Sequence, residues 1–256
     1  MDYLEQVFFC FQLPKTSYSM LRAYLFFAVL YCSFTASAQK NWFTVYTDTV
    51  QLLADAKWVT KQFEADIAQN NPKLTMGVAT VVNTTPYLIF YDDRNNSANL
   101  PNWSEVIAPQ KQFFYQVAGS EANGKEVFGL FFNGFYLAHE LGHAVQELSS
   151  TTKPALSFQN EYFANQVAML WWRKHNRQAE LERCYNYAKK MLTTIPSPVP
   201  ANTTEEAFFT ANYEKASQDP YVYGYMQFRQ FIKVYEDKNL PDFDTFVKAY
   251  FAGLKK

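Results

Sequence analysis

From Phe128 to Glu147 the chain reads FGLFFNGFYLAHELGHAVQE, and no other segment limits the possible folds as strongly. Phe128, Phe131, Phe132, Phe135 and Leu141 recur at helical spacing, so they form one apolar side that must be buried against other elements. His139 and His143 stand one turn apart on one face of the same helix, which lets both imidazoles converge on a single cation. Glu140 points to a neighbouring side, near such an ion but not on it. Gly142 keeps the surface between the histidines clear. This H-E-x-x-H pattern is that of a zinc-binding helix, with the histidines as ligands and the glutamate as general base.

A catalytic zinc ion takes three protein ligands and keeps a fourth position for water. The chain has only three histidines. A histidine-extended pattern would need glycine at 146 and histidine at 149, where Gln146 and Ser149 stand, so His175 and Glu161 are the candidates. His175 lies in WWRKHNRQ, a charged helix end where a solvated imidazole suits the helix dipole. Glu161, in FQNEYFANQVAML, belongs to the next expected helix, after a loop long enough to bring it back over the first. On a continuous helix both cannot reach one ion, since about 1.5 Å per residue puts them roughly 21 Å apart. Asn165 follows Glu161 by one turn and offers an oxygen for the second N–H of a ligating histidine. Ala164 adds little bulk where two helices must approach.

His139-Glu140-Leu-Gly-His143 followed by Asn160-Glu161-Tyr-Phe-Ala164-Asn165 resembles the gluzincin metallopeptidases, whose pattern is H-E-x-x-H with a downstream E-x-x-small-Asp/Asn. The resemblance covers roughly residues 128–175 and resides in the pair of motifs. It implies an α+β, zincin-like fold, a small N-terminal β-sheet packed on a mainly helical domain that carries the HExxH helix. It also implies one Zn2+ held by His139, His143 and Glu161, Glu140 as the base that activates water for peptide hydrolysis, and Asn165 behind a ligand. Asn165 departs from the aspartate of many members, which weakens polarisation of the imidazole but preserves an acceptor. A second electrophile should steady the oxyanion. Tyr213, Tyr221, Tyr223 and Tyr225 are candidates, although the aromatic spacing in QDPYVYGYMQFRQF reads more simply as core packing.

Elsewhere, residues 50–69 read as an amphipathic helix, and 75–82 and 87–91 as two strands. The polar run 92–102 reads as an exposed loop, and periodicity does not decide between strand and helix for 113–117. Ser157 is the expected cap of a helix reaching about His175, with further helices at 177–192, 204–217, 220–237 and 242–252. Asp219-Pro220 is a helix start, and Thr203-x-x-Glu206 reads as a capping box. The proline-rich stretch 195–202 is the one linker candidate, and residues 39–256 read as a single domain.

Residues 20–38 have a cationic start, a short apolar run and a small-x-small end, which is a secretory signal peptide cut after Ala38. The apolar run is about half of the ~20 residues that span a bilayer, so membrane attachment is expected only through this leader or an uncleaved anchor. Residues 1–19 fit poorly before such a signal and suggest a true start at Met20. The expected product is periplasmic or secreted. With 23 basic and 24 acidic residues no cationic surface is offered to nucleic acid, and the expected partner is a peptide or protein substrate. Cys184 alone follows the leader, so no internal disulfide is expected and the thiol reads as packed in a helix. Two other readings stand beside the peptidase: a non-catalytic exported binding or structural protein of zincin-like fold, and a zinc hydrolase of a non-peptide amide.

Overall fold

Residues 42–84, 87–150 and 157–254 are described here from a computed structural model. The leader and the suggested restart at Met20 lie outside the described residues. The fold is α+β, mostly helical with one three-stranded sheet. Helix α1, Thr49–Asn70, opens on Asp48, whose carboxylate accepts from the Val50 and Gln51 N–H groups. Its buried stripe of Leu52, Ala56, Val59, Phe63 and Ile67 is the one expected from the spacing.

The sheet follows. Strands β1, Ala79–Val82, and β2, Phe90–Asp92, are shorter than the runs read from sequence. They do not pair with each other. A third strand, β3, Ser97–Leu100, lies between them, parallel to β1 and antiparallel to β2. This corrects the expectation of an exposed loop at 92–102: Ser97, Ala98 and Leu100 are buried. Asp92 to Asn96 makes the turn into β3, with Asn96 in the left-handed region at φ 46° and its amide bonded to the Met76 carbonyl. The segment 113–117 is helical, within α2, Ala108–Ala118.

One long helical path then leads to the motif: α3, Glu121–Leu130, a five-residue π turn at Phe131–Phe135, and α4, Tyr136–Ser149. The π turn was not legible from the apolar spacing. Its wider loop lets the buried Asn133 accept from the Tyr46 N–H and donate to the Pro101 carbonyl, while Gly134 O accepts from the Trp42 indole. A Cβ on Gly134 would run into the Phe43 ring, so the turn docks tightly on the segment before α1. Such π turns often mark functional positions in helices.

Helix α5, Phe158–Lys174, begins as expected on Ser157, whose hydroxyl accepts from Asn160 N–H. Helices α6, Gln178–Leu192, α7, Glu205–Ala216, α8, Pro220–Glu236, and α9, Phe243–Gly253, complete the chain. Asp219 caps α8 ahead of Pro220. The cap of α7 is Thr204, one residue later than expected, and Glu206 bonds Gln159 instead of closing a capping box. Cys184 is buried on α6 with its thiol toward the Leu130 carbonyl, and burial raises its pKa. The described residues share one compact unit, and among them no helix is long and apolar enough to cross a membrane.

Candidate metal centre

Helix α4 lies along α5, and their closest approach is between two small residues. A Cβ on Gly142 would meet the Ala164 Cα at 3.1 Å and its carbonyl at 3.4 Å. This approach brings Glu161, in the first turn of α5, over the face of α4 that carries both histidines. His139 Nε2 lies 3.2 Å from Glu161 Oε2 and 3.1 Å from His143 Nε2, and His143 Nε2 lies 3.7 Å from the same carboxylate oxygen. His139 and Glu161 are buried, whereas the His143 side chain keeps 23 % of its surface open. These three residues form a group that could hold a metal ion.

The surroundings order this group. His139 Nδ1 faces Asn165 Oδ1 at 3.1 Å, and His143 Nδ1 faces Gln146 Oε1 at 3.2 Å. Both Nε2 atoms therefore turn toward Glu161. Glu140 is buried and approached from the sheet, with the Tyr91 N–H of β2 donating to Oε2 at 2.9 Å. Burial raises the Glu140 pKa and the charge of Glu161 adds to this, against the opposing pull of both imidazoles and the Tyr91 N–H. Burial would also raise Glu161, but the two imidazoles outweigh it and hold that carboxyl well below its usual range. For His143, burial opposes the charged form, yet Glu161, Glu140 and the Gln146 acceptor prevail and push its pKa up to about 9.

His139, Glu140, His143, Glu161 and Asn165, separated by up to 26 residues in the chain, thus come together. His175 does not join them. It caps the far end of α5, where its Nε2 lies 2.7 Å from Asp66. The candidate tyrosines divide. Tyr221 bonds Gln116 and Tyr225 bonds Glu205, both away from the histidines. Tyr213 instead donates its hydroxyl to Glu161 Oε1, and Tyr223 lies against Tyr213 with ring centroids 6.4 Å apart. Burial and the charge of Glu161 raise the pKa of both phenols, so each stays a donor. Tyr213, Tyr223 and Tyr225 also pack against the small core cluster of Phe158, Phe209, Ala216 and Met226.

Gln227 and Gln230 had no sequence assignment and also reach the group. Gln227 Nε2 donates to Glu161 Oε2 at 2.7 Å, and Gln230 Oε1 accepts from Asn165 Nδ2 at 2.9 Å. Their signal was present in YMQFRQF, where two amides one turn apart interrupt a run whose Met226, Phe228 and Phe231 are all buried. No family model, curated protein or solved structure matches the chain.

Proposed function

We propose that this chain is an exported zinc-dependent peptidase of zincin-like fold, with His139, His143 and Glu161 as ligands and Glu140 as general base. The observation that carries this is the triangle of donor atoms, with edges of 3.1, 3.2 and 3.7 Å. Ligands about 2.0–2.1 Å from a tetrahedral zinc ion stand roughly 3.3 Å from one another, so the three atoms match three corners of that tetrahedron. Two imidazoles and one carboxylate are also a donor set suited to zinc. When bound, zinc supplies Lewis acidity toward a carbonyl and toward water.

The chain's own groups account for the remaining steps. Glu140, with its pKa raised by burial, can take a proton from the attacking water and deliver it to the leaving amine. The Tyr91 N–H holds that carboxylate in place while leaving its second oxygen for the proton. Tyr213 and Tyr223 are the phenols beside the group, and Tyr213 can donate to charge developing on the carbonyl oxygen once its hydroxyl turns away from Glu161. The partly open His143 edge offers a way in for substrate.

Zinc content and hydrolysis of a mixture of unstructured peptides, in wild type and Glu140→Gln, test the reading. About one zinc per chain in both proteins, with turnover in the variant reduced by ~10²–10⁴, is the expected result. Wild-type protein that takes up no zinc refutes the metal site, and unchanged turnover in the variant removes Glu140 as base. Zinc binding without cleavage of any peptide returns the chain to the non-peptide amide or non-catalytic readings.

A further inference from the structure

We propose that Gln227 and Gln230 are positioning residues that lock the Asn165 amide in one orientation, and so fix which nitrogen of His139 is free to bind metal. The inference rests on the metal reading above and goes on to ask what presents that ligand.

Asn165 is fully buried and every polar hydrogen of its amide is committed. Its Nδ2 donates to Gln230 Oε1 at 2.9 Å and to Gln227 Oε1 at 3.3 Å, and its Oδ1 lies 3.1 Å from His139 Nδ1. An amide is nearly symmetric in shape, so only its neighbours can tell the oxygen side from the nitrogen side. Here each glutamine is itself oriented by a group that can only accept. Gln230 Nε2 donates to the Phe158 carbonyl at 2.9 Å, and Gln227 Nε2 donates to the Glu161 carboxylate at 2.7 Å. Turning either glutamine would set oxygen against oxygen in a buried site. With both glutamine carbonyls facing Asn165, its NH2 must face them and its oxygen must face His139. Nδ1 of His139 then carries the hydrogen, and the lone pair of Nε2 points to His143 and Glu161.

The arrangement also explains why an amide stands where a carboxylate would polarise the imidazole more. A carboxylate at 165 would meet two carbonyl oxygens, and neither glutamine could turn without losing Phe158 O or Glu161. Gln230 bonds none of the three proposed ligands in this network, so whatever it does to His139 passes through Asn165.

Two variants test this, Gln230→Met, which keeps the side-chain length, and Asn165→Asp, which is nearly isosteric. Long-range nitrogen–proton spectra of zinc-free protein at mildly alkaline pH read the His139 tautomer directly, and the chain's three histidines make assignment simple. Wild type should show Nδ1–H alone, and Gln230→Met a mixture of tautomers. Zinc affinity, measured against a competing chelator, should fall in each variant, by up to the roughly 10–100-fold that disturbing the partner behind a ligand costs: the Asn165 oxygen is no longer held toward His139 in Gln230→Met, and two glutamine carbonyls repel the new carboxylate in Asn165→Asp. A single, unchanged tautomer in Gln230→Met overturns the proposal, because mere loss of packing would lower stability and leave the tautomer alone. Unchanged or tighter zinc binding by Asn165→Asp overturns it as well. Should wild type bind no zinc, the metal reading falls, while the zinc-free tautomer still decides the role of Gln230.

Discussion

The two ends of α5 hold the same kinds of side chain and put them to opposite uses. At its C-terminal end Asp66 is surrounded by donors: Lys174 Nζ at 2.8 Å, His175 Nε2 at 2.7 Å and Trp171 Nε1 at 2.8 Å. Lys174 also reaches Asp244 at 2.8 Å, where the Asn70 amide adds another bond at 2.7 Å. Cation and anion are both supplied by the chain, so the cluster ties α1, α5 and α9 together and needs nothing further. At the N-terminal end, among the described residues, the two imidazoles are the ionisable partners of Glu161, Tyr213 and Gln227 add neutral hydrogen bonds, and Glu140 stands buried beside them. There two imidazole nitrogens and one carboxylate oxygen converge within 3.7 Å of one another, an arrangement that could hold a metal ion. A histidine next to a carboxylate is therefore not by itself a sign of a metal. What separates the two ends is the kind of group that faces the carboxylate: a lysine ammonium with no lone pair to offer at one, and at the other imidazoles, which can give up a proton and bind a metal ion instead.

The largest effect should come from removing the anion at the N-terminal end. Glu161→Gln keeps the shape of the side chain but takes away the charge and one strong donor, and zinc binding should be lost. In wild type, zinc at a thousand times its Kd adds about 4 kcal/mol of stability, a rise of roughly 10 °C in Tm for a chain of this size. Scanning calorimetry with zinc and with a chelator should show that rise in wild type and none in Glu161→Gln. An equal rise in both proteins would erase the distinction between the two clusters.

A smaller effect, of opposite character, is expected from Asp66→Asn. Burial alone would raise the Asp66 carboxyl, but hydrogen bonds from His175, Lys174 and Trp171 outweigh it and hold its pKa down at about 2, from 3.8. Because the folded value lies below the unfolded one, the contribution is complete above about pH 4 and fades as pH falls toward about 2. At neutral pH the substitution should cost roughly 2 kcal/mol, and near pH 2 almost nothing. Zinc affinity should stay within about twofold, since the cluster sits roughly 20 Å along the helix from Glu161. Denaturant melts at several pH values check the first part and chelator competition the second. A large change in zinc affinity would mean that the two ends are coupled and not independent.

What could be read in advance follows the range of the forces involved. The caps Ser157 and Asp219 and the stripe of α1 depend on neighbours within a turn, and they lie where the sequence put them. The pairing of His139 with His143 is likewise a matter of one helical turn, and Glu161 needed only a second helix to return. β3 was hidden because SANL has little apolar content, and pairing on both sides, not propensity, makes it a strand. Tyr213, Gln227 and Gln230 meet Glu161 and Asn165 across 52 to 66 residues. No local pattern encodes such distances, although a pair of amides within a buried aromatic run is a usable hint. The shift of the α7 cap from Thr203 to Thr204 shows the ordinary limit where two equivalent caps adjoin.

The smallest effect, and the finest test of the comparison, is at Gly142. Alanine there would gain about 1 kcal/mol of helix propensity over glycine, while its Cβ, 3.1 Å from the Ala164 Cα and 3.4 Å from the Ala164 Cβ, would meet backbone that cannot rotate aside. Overpacking of this kind costs about 1–3 kcal/mol, so the net loss of stability should lie between about 0 and 2 kcal/mol. The informative quantity is zinc affinity. Relief of the contact must part α4 from α5, and that widens the distance from both histidines to Glu161 while the Lys174 end keeps its own salt bridges. A fall in zinc affinity of severalfold, with the pH dependence of stability from Asp66 unchanged, is the expected outcome. If Gly142→Ala binds zinc as tightly as wild type, the close approach of the two helices is not what sets the donor triangle, and the contrast between the ends of α5 would then rest on the facing groups alone.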